Sequence, residues 1–297
     1  MENLLKKYNI GDVTPINYGW SGDNKYILTD KYGTKYILRE SQPKKKEKRE
    51  SQYLYMREIE HLNINMAKVI ECGALSNGNF YTLLTYLNGH DGENEILRFN
   101  DIEAYNIGID AGKALKEIHS VKVNHTAEPW AKRYAIKCKA KIEAYKCSEH
   151  KLEKGDLILK YYKNNLHLMN NRPLVYTHGD YHLGNMVIDN GKLGIIDFDK
   201  LSISDPYDDF KPYCWNALKS EYFATGLING YFNNKIPSGF FEILKFYTAE
   251  SLISHIPWAA KFGKKDLDNA YFVYDCTMKW YDNFNLTTPT WYKGLIK

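Results

Sequence analysis

The stretch from His178 to Asp199 constrains this chain more than any other. Asn190-Gly191 is a strong two-residue hairpin signal, because both central positions of the tight turn require positive φ. It joins Met186-Val187-Ile188-Asp189 to Lys192-Leu193-Gly194-Ile195-Ile196. In that register Asp189 faces Lys192 and Asn185 faces Ile196, so Asp197 stands one residue from Asn185 across the ladder. The β-prone run Leu174-Val175-Tyr176-Thr177 leads into His178-Gly179-Asp180. An amide oxygen and a carboxylate held side by side at the open end of a hairpin form a hard-oxygen site suited to Mg²⁺. Asp180, just before the hairpin, is left to face an acceptor.

The spacing points to phosphoryl transfer, which asks for positioning and charge neutralisation more than covalent chemistry. Protein kinases meet that need with a catalytic-loop Asp, a metal-binding Asn five residues later and a second metal-binding Asp on a separate turn. Asp180, Asn185 and Asp197 follow that order and spacing. Two other readings compete. His178, Asp180 and His182 could ligate zinc, but no further nitrogen or sulfur ligand at motif spacing accompanies them. The stretch could also be a polar turn beside two strands. Neither accounts for three matched elements in order.

Composition narrows the setting. A chain of 297 residues is one large or two modest domains with room for a core. A net charge of +4 is too small to argue for nucleic acid. No N-terminal apolar core reads as a signal peptide and no run is long enough to span a bilayer, so a cytoplasmic protein is expected. The five cysteines (Cys72, Cys138, Cys147, Cys214, Cys276) are scattered, odd in number and form no C-x-x-C pair, consistent with reduced thiols.

The first part reads as β-rich. Ile16 to Asn24 leads to a strand at Lys25–Thr29, then a turn at Asp30-Lys31-Tyr32-Gly33 and a second strand at Thr34–Arg39. A Gly-bearing turn between strands can lie over nucleotide phosphates, offering backbone N–H donors without obstruction. Here it lacks a G-x-G-x-x-G pattern, and the plain alternative is an ordinary hairpin. Lys44–Glu60 reads as a helix whose basic start, Lys44 to Arg49, is a solvated face rather than a nucleic-acid patch, because acidic residues interrupt it. Phe80–Leu87 is a buried-looking strand, and Asn88-Gly89 after it marks a domain boundary. Beyond it the chain turns helical: Asn100 and Glu103 form a capping box, His119 ends that helix as a packing or capping residue, and Pro129–Cys147 is a Lys-rich helix. After Asp205 come many aromatics, among them Trp215 and Trp258, read mostly as core.

A β-rich start, an extended linker, a helical second part and the 178–199 passage together resemble the aminoglycoside phosphotransferase family, in the kinase-like group that includes choline and macrolide kinases. His178-Gly179-Asp180, Asn185, Ile196-Asp197-Phe198 and Ser204-Asp205-Pro206 with Asp209 carry the resemblance. It implies an α+β, two-lobed protein-kinase-like fold, with residues 1–87 as the nucleotide-binding lobe and 88–297 as the helical lobe holding the catalytic loop and acceptor site. It further implies ATP or GTP as co-substrate with Mg²⁺. Asp180 would act on the acceptor hydroxyl, Asn185 and Asp197 would hold the metal, and His178 and Asp205 would support the loop. The turn bearing Gly19, Ser21, Gly22 and Asn24 would cover the phosphates, and the strand end at Leu84, Thr85, Tyr86 and Leu87 would receive the base.

Two departures stand out. Arg39 occupies the strand position where many kinases carry Lys; it keeps the charge but offers a fork of donors. Its expected helix partner is Glu50, with Glu47 and Glu58 as alternatives, since the helix register is open. Asp197-Phe198-Asp199 also differs from Asp-Phe-Gly, which argues against a protein-kinase activation switch. The acceptor is the least legible part. Asp208, Asp209, Glu221, Glu250 and Asp275 amid aromatics could hold a cation through ion pairs and cation–π contact, although each alone also reads as a solvated carboxylate. The leading expectation is an aminoglycoside acceptor. The rivals are a small-metabolite kinase acting on a choline-like amine or a sugar, a macrolide kinase, and a catalytically silent binding protein.

Overall fold

The structure, a computed structural model, describes residues 1–17 and 22–296. Gly19 and Ser21, expected over the phosphates, lie outside the described residues. The chain opens with helix α1 (Glu2–Lys7) and strands β1 (Ile10–Ile16), β2 (Asn24–Asp30) and β3 (Lys35–Ser41), followed by helix α2 (Lys46–Ile59), β4 (Val69–Ala74) and β5 (Phe80–Thr85). These strands form one antiparallel sheet in the order β1-β2-β3-β5-β4. Alternation along the strands puts Leu28, Leu38 and Leu83 on one face, where they are fully buried with Leu4 of α1. On the other face α2 packs Met56 and Ile59 toward Val69. The β2–β3 register sets Lys25 beside Arg39.

After Thr85 the chain leaves this sheet. Strand β6 (His90–Asp91) and helices α3 (Gly92–Glu95), α4 (Asp101–Ser120), α5 (Trp130–Cys147) and α6 (Gly155–Asn164) precede β7 (Val175–Thr177), β8 (Met186–Asp189), β9 (Lys192–Ile195) and β10 (Ser202–Ser204). Helices α7 (Tyr213–Lys219), α8 (Glu221–Phe232), α9 (Phe240–Ala259) and α10 (Lys264–Trp280) complete the fold. Strand β6 pairs with β8 and β7 with β10, so two small sheets lie inside the helical lobe. The fold is α+β, with a sheet lobe followed by a helical lobe.

The helical lobe is built on α4. The capping box is formed: the Asn100 side chain accepts from the Ile102 and Glu103 amides, and Glu103 accepts from the Asn100 amide, all at 3.0 Å. Helix α8 lies against α4 with backbones nearly touching. A Cβ at Gly112 would sit 2.1 Å from the Leu227 carbonyl oxygen, and one at Gly226 would sit 2.1 Å from that of Tyr105. Only glycine admits that approach. The tight crossing carries His119, at the end of α4, under the loop that bears Asp180.

Candidate active site

The hairpin forms in the expected register. Asp189 faces Lys192, the Ile196 amide donates to the Asn185 carbonyl at 3.0 Å, and Asn190 and Gly191 have φ of 50° and 77°. The next residue, Asp197, is in the left-handed region (φ 58°, ψ 60°), a conformation that Asp tolerates better than most residues. It ends the strand abruptly and turns the carboxylate away from the ladder.

The loop carrying Asp180 is held from beneath. His178 is fully buried, with Nε2 2.9 Å from the Ile196 carbonyl and Nδ1 3.3 Å from the Asp180 amide. Both nitrogens are thus occupied, which removes His178 as a zinc ligand. Asp209 accepts from the His178 amide at 2.8 Å, from the Gly179 amide, and from His119 Nε2 at 3.0 Å. His119 is therefore a buried strut, its Nδ1 2.9 Å from the Tyr231 hydroxyl. Asp205, fully buried, accepts both prongs of Arg172 at 2.8 and 2.9 Å and the Tyr247 hydroxyl at 2.7 Å. It anchors the segment leading to Asp209.

On this base the Asp180 carboxylate meets Lys200 Nζ at 2.8 Å and His182 Nε2 at 3.8 Å. Burial alone would raise its pKa, but the nearby His182 and the charge of Lys200 hold it well below the usual carboxylate range. Asn185 donates its amide nitrogen to the Asp180 carbonyl at 2.9 Å, which leaves Oδ1 as the end able to take a cation.

Asp197 faces the sheet lobe and meets its cations. Lys25 Nζ lies 3.0 Å from Oδ2 and Arg39 Nη2 3.2 Å from Oδ1. Burial raises this carboxyl too, but Arg39 and Lys25 outweigh it and bring the pKa down to about 2. The same Arg39 reaches Asp199 at 2.8 Å through Nη1 and Asp23 at 3.4 Å through Nε. Arg49 also meets Asp199 and Asp23, and Lys45 meets Asp23 at 2.6 Å.

The expected Arg39–Glu50 pair is not what forms. Glu50 is exposed and lies 3.7 Å from Lys46, Glu47 is exposed, and Glu58 meets Asn124 and His125. The register of α2 turns Arg49, not Glu50, toward the cleft, and Arg49 is only 4% exposed. The basic helix start is therefore solvated except at Lys45 and Arg49. Sequence reading missed Lys25, Asp23, Arg49, Asp199 and Lys200; the signals available were Lys25 opposite Arg39 and the second Asp of Asp-Phe-Asp.

A sequence model of the APH phosphotransferase enzyme family matches residues 12–238. The chain belongs to that family. No curated protein matches it in sequence. Its fold is shared with solved structures at low identity. The GDP complex of aminoglycoside 2'-phosphotransferase-IIIa superposes with a TM-score of 0.70 at 15% identity, covering 92% of this chain and 94% of that one. The gentamicin complex of APH(2")-IIa gives 0.64 at 15% identity, with 92% and 93% covered. A thermostable mutant of APH(4)-Ia gives 0.66 at 15% identity, with 92% and 96% covered.

The donor set of this phosphotransferase fits Mg²⁺. Asn185 Oδ1 and the Asp197 carboxylate are hard oxygens, and two protein ligands completed by phosphate and water match that ion's habits. Behind Asp197 a cavity lies between the sheet, α2 and the Asp-Phe-Asp turn, lined by Arg39, Arg49, Thr82, Leu84, Asp197 and Phe198 among others. At the strand end Thr85 is committed to Lys68, exchanging backbone and hydroxyl bonds of 2.9 Å. Among the described residues no backbone hydrogen bond engages Tyr86 or Leu87. Gly22 has φ of 64° with open space where a Cβ would be, and the exposed Asn24 approaches Glu40 at 3.4 Å.

The acceptor side differs from expectation. Asp208 pairs with Lys211 at 2.7 Å, Asp209 holds the Asp180 loop, Glu221 pairs with Lys293, and buried Glu250 pairs with Lys141 and lies 3.7 Å from Lys211. Asp275 is exposed on α10. Trp215 is half-buried and Trp258 is 40% exposed, so these two are not core. Trp215 adjoins Asn216, whose Oδ1 accepts from the Leu183 amide at 2.8 Å. From it a row of rings runs through His255 (5.8 Å) and Trp258 (5.6 Å) to Phe262 (4.8 Å).

Proposed function

We propose that this protein transfers the terminal phosphate of ATP or GTP, with Mg²⁺, to a hydroxyl of a small molecule. The observation that carries the reading is the meeting of Asp180, Asn185 and Asp197 at one end of a hairpin, with Arg39 and Lys25 closing on Asp197 from the other lobe. Asp180, kept ionised by Lys200 and His182, orients or deprotonates the acceptor hydroxyl. Asn185 and Asp197 hold the metal, Arg39 meets the phosphates, the strand end from Thr85 to Leu87 receives the base, and the Gly22–Asn24 segment belongs to the phosphate cover.

We take an aminoglycoside as the leading acceptor, supported by the fold shared with proteins solved with gentamicin, with streptomycin and ATP, and with hygromycin B and ADP. A second reading, a small-metabolite alcohol such as a choline-like amine or a sugar, is favoured by the pairing of Asp208, Glu221 and Glu250 with lysines, which leaves fewer carboxylates for a polycation. A nucleotide-consumption screen over aminoglycosides, macrolides, choline-like amines and sugars, with mass spectrometry of the product, separates them. Absence of nucleotide binding by calorimetry in the presence of Mg²⁺ would refute the phosphotransferase reading.

A further inference from the structure

The two carboxylates of the Asp197-Phe198-Asp199 turn share one guanidinium. Arg39 spans them, with Nη1 2.8 Å from Asp199 and Nη2 3.2 Å from Asp197. Arg49 meets the same Oδ1 of Asp199, and the Asp199 carbonyl accepts from Gln52. Helix α2 is thus tied to the metal turn by a cation and an amide. Around this point Lys25, Arg39, Lys45 and Arg49 meet Asp23, Asp197 and Asp199, four cations against three carboxylates. Two guanidiniums that share one carboxylate oxygen repel each other once that carboxylate is gone. Arg39 then has Asp197 as its nearest strong acceptor, and the metal has a competitor.

We infer that Asp199 is the positioning carboxylate of this site. It takes one prong of Arg39 and leaves only the other on Asp197, so that Asp197 remains open to the metal and Arg39 to the phosphates, and it seats α2 on the same turn. This rests on the nucleotide-dependent reading above.

The test is a double-mutant cycle on the full chain, Asp199→Asn with and without Arg39→Ala. Binding of ADP is measured by calorimetry in a metal chelator, and kcat/KM with an acceptor from the screen. Asn keeps the shape of Asp and one acceptor oxygen while removing the charge. Metal-free ADP binding is expected to weaken roughly five- to tenfold in Asp199→Asn, the scale of one charged hydrogen bond. No such loss is expected in the Arg39→Ala background. Simple charge removal acts in the opposite direction, since an anion binds better where a negative charge is gone. Tighter binding, or equal weakening in both backgrounds, overturns the inference. So does a loss seen only with Mg²⁺ and reversed by excess Mg²⁺, which would make Asp199 a metal ligand. Glu50→Ala supplies an arm independent of the folding of the Asp199 variant: ADP affinity within about twofold of wild type is expected, and a tenfold loss restores the helix carboxylate and overturns the inference. Wild-type protein that binds no ADP refutes the phosphotransferase reading and this inference together, whereas the variant pattern bears on the inference alone.

Discussion

Replacing Asp209 by Ala is expected to cost more than replacing any surface carboxylate, although Asp209 never touches the reacting atoms. Its side chain is 1% exposed and takes three hydrogen bonds, from the amides of His178 and Gly179 and from His119. Without it the buried His178 amide and the half-buried Gly179 amide lose their acceptor. The loop has little room to seek other partners: Gly179 has φ of 82°, and the Lys200 carbonyl would lie 2.4 Å from a Cβ there. At about 1–3 kcal/mol for an unsatisfied buried donor and less for a half-buried one, the two amides amount to about 2–4 kcal/mol. That is a large part of an ordinary total stability of about 5–15 kcal/mol. Asp209→Asn keeps one acceptor oxygen and is expected to lose about half as much. Urea unfolding at neutral pH measures the loss. Steady-state kinetics and calorimetry on the folded fraction measure its functional side: kcat is expected to fall while affinity for Mg-nucleotide holds, because the loop bearing Asp180 shifts and the turn bearing Asp197 does not. Asp209→Ala within about 1 kcal/mol of wild type would mean that the loop is held by something else.

Asp180→Asn is expected to lower kcat and leave Mg-nucleotide affinity intact, whereas Asp197→Ala should lower both; parent-like binding in both variants would refute the role of Asp197. Because Arg39 and Lys25 depress the Asp197 pKa from 3.8 to about 2, its ionised form contributes stability above its unfolded value, and that contribution is lost as pH falls through the folded one. Urea melts between about pH 5 and pH 2 should therefore show the gap between wild type and Asp197→Asn shrinking by up to about 2 kcal/mol. Gly112→Ala, which places a methyl 2.1 Å from the Leu227 carbonyl, is expected to cost about 2 kcal/mol or more, and Gly239→Ala, with open space at that point, close to nothing. Thermal melts of the two side by side check the crossing of α4 and α8.

The hairpin at Asn190-Gly191, the placing of Asn185 beside Ile196 and the Asn100–Glu103 cap were readable along the chain because each is decided by neighbours a few residues apart. A turn that needs positive φ and a helix end that needs acceptors leave the backbone few choices. The order of Asp180, Asn185 and Asp197 is local in the same sense. The partners of Arg39 were not readable. Asp23 lies just before strand β2, while Asp197 and Asp199 are in the other lobe, and the choice between Glu50 and Arg49 turned on a helix register set by packing Met56 and Ile59 under the sheet. Glu250 failed for the same reason: whether it faces a ligand or Lys141 depends on where α5 and α9 dock, whereas Asp208 is taken by Lys211 only three residues away. Local sequence sets backbone geometry through short-range sterics and hydrogen bonds. The pairing of charges distant in sequence is decided only when the lobes are packed, because attraction between ions depends on distance and burial, and neither exists before the chain has folded.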